Sequence, residues 1–351
     1  MLNRRSLGKS ALGFAAASVA GAANAQVQLD VQAIVTAAAD TVRQRYVDAA
    51  RASELADQIM ARLAAGAYAT QSRETLADRL TTDLRAWTHD LHMQVHYAPP
   101  APSAAEVPSE IPEDDQHPRA TAWGVQTVAR LQGNIGLWRI THLPRPPIWV
   151  AAKYAASMEL LSDTAALIID LTTNHGGGED SAALFLSYFF NGEVELGRTE
   201  QRDAPDEVIM TTERAAGPHY GERRPVYVAI SGQTFSAGEG IAYSLRSRRN
   251  AVLVGERTRG GANLGDTFDL PDNFKIFVVT ARSAGDSWEG VGVAPDIPAP
   301  RGQAVAVAHR RALADLLAAE ADPQRTQILR NVQAASIENL SSFDFATRTR
   351  R

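Results

Sequence analysis

The 351-residue sequence contains no cysteine, which excludes disulfide bonds, thiolate zinc sites and a cysteine nucleophile. It also lacks an excess of positive charge: the formal net charge of -5 argues against a nucleic-acid partner, because phosphate binding needs a basic face. The apolar run at 11–20 is too short to span a bilayer, so we expect no stable membrane anchor. With 45% hydrophobic residues, the composition is that of a globular protein with an ample core.

Residues 1–25 are predicted to be an export signal. The pair Arg4-Arg5 precedes the Ala-rich apolar run, and Ala23-Asn24-Ala25 fits a small-x-small cleavage site. Adjacent arginines favour the twin-arginine route over an ordinary secretory signal. We therefore expect a periplasmic or secreted protein that is cleaved after Ala25.

The rest of the chain divides into four stretches. Leu and Ile at three- and four-residue spacing predict an N-terminal helical domain at 26–97. Six prolines and an acidic run indicate a linker or long loop at 98–119. Strand-like and helical runs alternate over 120–302, which predicts an α/β layer domain, and helices with a frayed tail follow at 303–351. The expected strands are 135–140, 166–171, 226–230, 251–254 and 274–280, and the expected helices are 148–162, 179–190 and 236–249.

A glycine-bearing loop follows the predicted strand at 166–171. The sequence Thr-Thr-Asn-His-Gly-Gly-Gly at 172–178 would let backbone N–H groups face a bound anion without obstruction by Cβ atoms. It is neither a Walker A loop nor a dinucleotide-binding motif, and no lysine follows the glycines. An oxyanion-binding turn fits the pattern, with a plain flexible turn as the alternative.

A serine stands at a second strand-to-helix junction, where Ser236 follows the predicted strand at 226–230. Such a serine can project into a cleft, while the N–H of Ala237 and the helix N-terminus face a developing oxyanion. Ser236 and Glu239 also match a capping box, which would commit the hydroxyl to a structural role. The local sequence leaves both roles open.

A serine nucleophile needs a base, for which histidine is a candidate. Three histidines, His89, His92 and His96, would share one face of a helix, and that spacing would indicate a zinc site. Residues 91–97 alternate apolar and polar side chains, however, which predicts a strand. On a strand, His92 and His96 would stand about 13 Å apart, so they could not share a metal ion. We therefore expect no metal site. His92 is either the base or a solvated residue on the strand.

Four segments in order resemble the C-terminal-processing (tail-specific) serine protease family. They are Asp170-Leu171-x-x-Asn174-x-Gly176-Gly177, Thr234-Phe235-Ser236-Ala237-x-Glu239, Val254-Gly255-Glu256-x-Thr258-x-Gly260-Gly261 and Trp288-Glu289-Gly290-Val291-Gly292-Val293-x-Pro295-Asp296. Stretches at 46–68 and 80–92 look like the branch related to interphotoreceptor retinoid-binding protein. The resemblance covers residues 33–300. It implies an α/β (α+β) fold with a ClpP/crotonase-like ββα catalytic core at 120–302 behind an N-terminal helical bundle, and no cofactor.

The resemblance also assigns roles to site residues. Ser236 would be the nucleophile, and Ala237 with Gly176 or Gly177 would supply the oxyanion N–H groups. Many members carry a general-base lysine in Thr-x-Gly-Lys-Gly, but Gly261 occupies that position here. The tricorn-like branch uses a histidine and a glutamate instead. The matching residues are His92, which would take the proton of Ser236, and Glu289, which would either orient the base or serve only as a structural carboxylate.

The stretch between Tyr97 and Trp123 is too short for the PDZ module of substrate-tethering members, which needs about 80 to 100 residues. Whether residues 98–119 cover the cleft stays open. The resemblance implies an exported serine peptidase that acts on a peptide or protein substrate through an acyl-enzyme. The alternatives are a non-enzymatic binder of a lipid-like or small apolar ligand, and an esterase or acyltransferase that uses the same serine. The sequence leaves the oligomeric state and the substrate size open.

Overall fold

The computed structural model describes residues 29–99, 121–211, 215–285 and 287–338. The predicted signal at 1–25 lies outside these ranges, as do most of the Pro-rich stretch at 98–119 and the end of the tail. Within the described ranges, no helix combines the length and the apolar character that a membrane crossing requires.

Eight helices lie in the described part of the chain: α1 (Val31–Arg45), α2 (Ala49–Ala64), α3 (Arg73–Thr88), α4 (Ile148–Leu161), α5 (Glu179–Ser187), α6 (Ala237–Arg249), α7 (Ala304–Ala319) and α8 (Pro323–Glu338). The first three begin after Asp30, Asp48 and Ser72, whose side-chain oxygens each accept the N–H three residues on. The helices expected at 148–162, 179–190 and 236–249 are confirmed within a few residues.

Eleven strands are found in the same ranges: β1 (Gln94–Tyr97), β2 (Val125–Leu131), β3 (Ile135–Ile140), β4 (Ala166–Asp170), β5 (Glu195–Gln201), β6 (Glu207–Met210), β7 (Val226–Ile230), β8 (Val252–Gly255), β9 (Leu264–Asp269), β10 (Phe274–Ser283) and β11 (Ile297–Pro298). The five expected strands correspond to β3, β4, β7, β8 and β10. Strand β1 lies within the alternating run at 91–97, and the sequence analysis missed β2, β5, β6, β9 and β11.

The larger sheet has the order β11-β8-β7-β4-β3-β2, and all neighbours are parallel except β2 and β3. Every residue of β4 and β7 is buried, because helices cover both faces of the sheet. Helices α4, α5 and α6 pack on one face through Tyr154, Phe185 and Leu245. Helices α7 and α8 pack on the other through Leu313 and Leu329. The carboxyl ends of β4 and β7 therefore lie side by side at one edge.

The smaller sheet is antiparallel and is built around β10, which pairs with β1, β5 and β9, while β6 extends it beyond β5. Helices α1 and α3 bury Ile34 and Leu80 in one core with Ile276 and Val278 of β10. The N-terminal helices thus share a core with a strand from far along the chain. The predicted fold class, a mixed α/β protein with an N-terminal helical part, is confirmed. The exact domain boundaries stay predictions.

Candidate active site

Two loops meet at the edge where β4 and β7 end. The hydroxyl of Thr234 donates to the carbonyl oxygen of Leu171 at 2.8 Å. The N–H of Phe235 donates to the carbonyl oxygen of Asn174 at 3.0 Å. These bonds fix the serine-bearing loop against the glycine-bearing loop.

Ser236 stands at the turn between β7 and α6. Its backbone has φ 52° and ψ −127°, in a region that residues other than glycine rarely adopt. An ordinary helix cap takes the β region instead. A strained residue at a strand-to-helix turn is typical of nucleophile elbows, where the backbone pushes the side chain outward. Ser236 is also partly exposed, and it begins α6 in a capping box with Glu239, whose carboxylate accepts the Ser236 N–H.

Glu239 is fully buried, and both of its carboxylate oxygens accept hydrogen bonds from Ser236 and from the loop beside it. Its Oε2 accepts the N–H groups of Ser236 at 2.9 Å and Gly261 at 2.7 Å. Its Oε1 accepts the Gly260 N–H at 2.8 Å and the Thr258 hydroxyl at 2.5 Å. Burial raises the pKa of Glu239, and these four hydrogen bonds oppose the rise. This carboxylate therefore connects the turn at Ser236 with the loop that follows β8.

His92 lies in the turn between α3 and β1, so the prediction that it is a strand residue was wrong. The strand begins two residues later, because Oδ1 of Asp90 accepts the His92 backbone N–H at 2.8 Å and closes a turn there. The alternative of a solvated side chain was wrong as well, since His92 is only 8% exposed. Its ring packs 4.5 Å from the ring of Phe235, the residue before Ser236.

Asp90 binds the His92 ring, a role that the sequence analysis did not assign. Nδ1 of His92 lies 3.0 Å from Oδ1 of Asp90, and Oδ2 of Asp90 accepts the Asn263 side-chain amide at 2.9 Å. Burial alone would raise the pKa of Asp90, but the hydrogen bonds from His92 and Asn263 outweigh it and hold this pKa below its usual value. An ionised carboxylate only accepts, so Nδ1 donates to it, and in a neutral ring Nε2 is then the acceptor. In the described part of the chain, the buried Nε2 has no hydrogen-bond partner.

Glu289 binds the loop beyond Gly261. Its Oε2 accepts the N–H groups of Ala262 at 2.6 Å and Asn263 at 3.0 Å, while Oε1 is buried and has no partner among the described residues. Burial, with the nearby charge of Asp90, raises the pKa of Glu289. Glu289 thus holds Asn263, which in turn binds Asp90. Asp90 is the carboxylate that binds the His92 ring, while Glu289 binds the loop that carries Asn263.

The donor atoms of Asp90, His92 and Glu289 lie within 4.8 Å of one another, so among the described residues these three could hold a metal ion. The hydrogen bond between His92 and Asp90 already occupies one donor atom on each. Metal binding through these two atoms would have to break that hydrogen bond.

We expect Glu289→Gln to stabilise the protein at neutral pH and to leave its stability in acid unchanged. The raised pKa means that the folded protein binds more protons than the unfolded chain. Glu289 therefore contributes to the free energy of unfolding. This contribution is fully present below the ordinary pKa of 4.5 and is lost as the pH rises through the raised pKa of the folded protein. Glutamine keeps an acceptor oxygen for the two N–H groups and carries no charge, so it avoids this loss.

Thermal unfolding at pH 4 and pH 8 measures this effect. The matched control is Glu159→Gln, at an exposed position on α4, which should change the melting temperature at neither pH. A melting temperature of Glu289→Gln below that of the wild type at pH 8 would contradict the argument.

Gly261 stands where many relatives were expected to carry a lysine. A Cβ atom at this position would lie 2.6 Å from Cε1 of His92 and 2.3 Å from Cε2 of Phe235. The space for a side chain at 261 is therefore filled by the two rings. A lysine at 261 and the His92 ring in its present position exclude each other.

Gly176 lies directly against Ser236. Its φ is +92°, and a Cβ atom there would lie 2.7 Å from Cβ of Ser236. Its N–H donates to Oδ1 of Asn174 at 2.9 Å, so this N–H is already in use.

The neighbouring Gly177 keeps its N–H available. The Leu143 N–H donates to the carbonyl oxygen of Gly176 at 2.9 Å, and the Leu143 carbonyl oxygen accepts the Gly178 N–H at 2.7 Å. This bridge between Leu143 and the glycine-bearing loop does not use the Gly177 N–H. Within the described ranges, that N–H finds no partner. The Ala237 N–H is the first of α6 and has no intrahelical acceptor. Of the predicted oxyanion donors, the N–H groups of Gly177 and Ala237 thus have no partner among the described residues, whereas that of Gly176 has one.

Two cavities open beside Ser236. One, of about 320 Å³, is mostly apolar and is lined by Leu186 and Trp288 among others. The other, of about 480 Å³, is more polar and contains His92 and Gly177. Ser236 lines both, so it stands where the two cavities join.

The fold and the site define a mixed α/β protein in which a serine and a histidine line one cavity and an aspartate binds the histidine. Residues 135–299 match the model of peptidase family S41, and residues 22–130 match the N-terminal domain of peptidase S41 in eukaryotic IRBP. The chain therefore carries a peptidase family S41 domain and, before it, the N-terminal domain of that family, as the motifs predicted.

Curated relatives match part of the chain. A carboxy-terminal-processing protease of Bartonella bacilliformis is 28% identical over 174 residues, which cover 48% of this chain and 39% of that protein. Carboxyl-terminal-processing peptidase 3 of Arabidopsis thaliana, a chloroplastic protein, is 31% identical over 147 residues, which cover 40% of this chain and 27% of that protein. The chain thus spans well under half the length of both relatives.

Solved structures share the fold over most of the chain. A lipoprotein from Streptococcus agalactiae superimposes with a TM-score of 0.54 at 16% identity, covering 77% of this chain and 92% of that one. The photosystem II D1 C-terminal processing protease gives a TM-score of 0.51 at 15% identity, covering 78% of this chain and 94% of that one. At these identities the likeness establishes the fold alone.

Proposed function

We propose that the protein is an exported serine peptidase in which Ser236 is the nucleophile and His92 is the general base. One observation carries the proposal. Asp90 holds Nδ1 of His92 and leaves the buried Nε2 without a partner, in a cavity that Ser236 also lines. In a serine–histidine–aspartate site the carboxylate fixes the histidine tautomer in this way, so that Nε2 can accept the serine proton.

The reaction would begin when Nε2 of His92 takes the hydroxyl proton of Ser236. Oγ then bonds to the carbonyl carbon of the peptide, and the resulting oxyanion accepts the N–H groups of Ala237 and Gly177. The N-terminus of α6 adds partial positive charge at the same place. The carbon–nitrogen bond breaks as His92 returns its proton to the leaving amine. Water next gives a proton to His92 and bonds to the acyl carbon, and Oγ leaves with that proton.

The parts of the substrate before and after the cleaved bond would occupy different cavities beside Ser236. Because His92 protonates the leaving amine, the leaving segment must lie in the cavity that contains His92. The acyl segment then lies on the other side, where its side chain can enter the mostly apolar cavity. We therefore expect an apolar residue before the cleaved bond.

The site of action would be the periplasm or the cell exterior. The arginine pair at 4–5 and the small-residue site at 23–25 support export. Peptides or proteins are the proposed substrates, and the names of the relatives support this class.

The apolar cavity also favours a second candidate, a non-enzymatic binder of a lipid-like or small apolar ligand. Such a binder has no need of a buried histidine–aspartate pair or of free N–H groups beside a strained serine. An esterase or acyltransferase would use the same serine and would differ only in the acyl compounds that it accepts.

Hydrolysis of unfolded casein by wild type and by Ser236→Ala tests the proposal. We expect the variant to lose essentially all hydrolysis, about 10⁴-fold or more, because no other group can form the acyl-enzyme. Ser247→Ala, a change of an exposed serine on the same helix, should retain full activity. Equal activity of Ser236→Ala and wild type would exclude this mechanism.

A further inference from the structure

Three largely buried side chains at the candidate active site bring together donor atoms that a transition metal prefers. The donor atoms of Asp90, His92 and Glu289 lie within 4.8 Å of one another. Nδ1 of His92 and Oδ1 of Asp90 are 3.0 Å apart. Two ligand atoms of a tetrahedral zinc ion lie about 3.4 Å apart, because zinc–ligand bonds measure about 2.0–2.2 Å. The spacing of Nδ1 and Oδ1 therefore fits a shared ion after a small movement.

Glu289 offers a carboxylate oxygen that is not yet in use. Its Oε1 is buried and accepts no hydrogen bond from any described residue. A buried carboxylate oxygen without a partner is costly, because burial removes the water that would otherwise solvate it. A cation at Oε1 would supply that partner. The two positive charges of a divalent ion would also balance the charges of Glu289 and Asp90.

Asn263 holds both carboxylates in position. Its side-chain amide donates to Oδ2 of Asp90 at 2.9 Å, and its backbone N–H donates to Oε2 of Glu289 at 3.0 Å. Each carboxylate thus has one oxygen bound to Asn263, and its other oxygen can bind an ion. In metal sites such hydrogen bonds orient the ligands, and losing one typically lowers metal affinity about 10- to 100-fold.

The donor set favours zinc among the common divalent ions. Imidazole nitrogen is a good ligand for zinc, whereas calcium and magnesium prefer sites built from six or more oxygen atoms. Zinc also accepts three protein ligands with a fourth position left open. We propose that Asp90, His92 and Glu289 bind Zn²⁺, through one oxygen of each carboxylate and Nδ1 of His92, and that the bound ion inhibits the peptidase. This set shares only His92 with the three histidines whose spacing excludes a common ion.

The inhibition follows from the tautomer of the His92 ring, and this part of the inference rests on the proposed function. Zinc binds the lone pair of a ring nitrogen, so the hydrogen on Nδ1 must leave that atom. A neutral ring carries one N–H, which then lies on Nε2. Nε2 would become a donor and could no longer accept the hydroxyl proton of Ser236. Zn²⁺ would thus stop the first step of the reaction without contacting the substrate.

Zinc titrations of the untagged, folded protein test the proposal. A chromophoric chelator that competes for Zn²⁺ measures binding, and hydrolysis of unfolded casein measures activity in parallel samples. We expect one Zn²⁺ per chain, loss of hydrolysis as this site fills, and recovery when EDTA removes the ion. Mg²⁺ at the same concentration should neither displace Zn²⁺ nor inhibit. Glu289→Gln should weaken zinc binding at least about tenfold, because a neutral amide oxygen replaces a charged ligand.

Glu159→Gln is the matched control, since it makes the same change at an exposed position on α4. His175→Ala tests the stacked pair of His142 and His175, another place where zinc could bind. Both variants should bind zinc as tightly as wild type. Weaker binding in either of them, or unchanged binding in Glu289→Gln, overturns the site.

The inhibition and the proposed function can fail separately. Zinc binding without inhibition, in a protein whose Ser236 reacts with a fluorophosphonate, overturns the inhibition through the His92 tautomer. A protein that binds zinc as expected, but neither hydrolyses casein nor reacts with the fluorophosphonate when zinc-free, supports the metal site and overturns the proposed function.

Discussion

Replacing His92 with alanine is expected to lower kcat about 10²- to 10⁴-fold in peptide hydrolysis, with a small change in KM. The change removes the acceptor of the Ser236 proton but leaves the oxyanion donors and both cavities in place. The variant should still fold, because His92 lies in a turn at the cleft and not in the core of a sheet. Steady-state kinetics of wild type and variant on one peptide measure the effect.

His175 provides the matched comparison, because it lines the same cavity as Ser236 and His92. It is exposed, and its ring stacks on that of His142 at 5.7 Å instead of binding a carboxylate. His175→Ala should therefore retain kcat within about fivefold, well below the effect of losing a general base. A larger loss in His175→Ala than in His92→Ala would show that the base has been assigned to the wrong histidine.

Adding a single methyl group at Gly261 should disable the site almost as thoroughly. The Cβ atom of Gly261→Ala would lie within 2.6 Å of ring atoms of His92 and Phe235, so both rings must move. Displacing a catalytic group by about 1 Å can lower the rate 10²-fold. We expect a fall of that order in kcat, a further fall for Gly261→Lys, and an overpacking penalty of about 1–3 kcal/mol in the free energy of unfolding. Kinetics and thermal unfolding of the same preparations measure both.

Gly232→Ala is the control for this substitution. Gly232 is exposed on the serine-bearing loop, and a Cβ atom there would meet only the carbonyl oxygen of Arg257, at 3.9 Å. This variant should keep wild-type activity and stability. If Gly261→Ala is also fully active, then the His92 ring does not need its present position, and the Ser236–His92 assignment loses its main support.

Much of the fold followed from the sequence because its central strands are uniformly apolar. The runs at 166–170 and 226–230 are buried on both faces, and such strands stand out clearly from the polar loops that follow them. Ser236 could be found for the same reason, since it lies directly after one of these runs and before a helix. The polar strands β5 and β6 were missed, because they are largely exposed and alternate weakly.

The orienting aspartate could not be assigned from the sequence alone. The alternation at 91–97 predicted a strand, on which Asp90 and His92 would stand two residues apart without a reason to contact. The contact exists because the chain turns at 90–92 and enters β1 only at Gln94. The spacing Asp-x-His was the available signal, since an aspartate can bind the backbone N–H two residues on and close such a turn.

The position of His92 beside Ser236 depends on pairing that lies beyond the local sequence. Strand β1 pairs with β10, with Gln94 opposite Phe277, and β10 lies about 180 residues further along the chain. Local periodicity carries no information about such a partner. The resemblance to a known family supplied His92 and Glu289, and the structure adds that Asp90 binds the His92 ring and that Glu289 and Asp90 both bind Asn263.

The central claim is that Ser236 is a nucleophile activated by His92, and covalent labelling tests it most directly. The folded protein is treated with a fluorophosphonate, and the intact mass and the modified peptide are determined for wild type, Ser236→Ala and His92→Ala. We predict one adduct on Ser236 in wild type, none in Ser236→Ala, and labelling of His92→Ala at least about 10²-fold slower. An unlabelled wild type, or an adduct that persists in Ser236→Ala, would contradict the account.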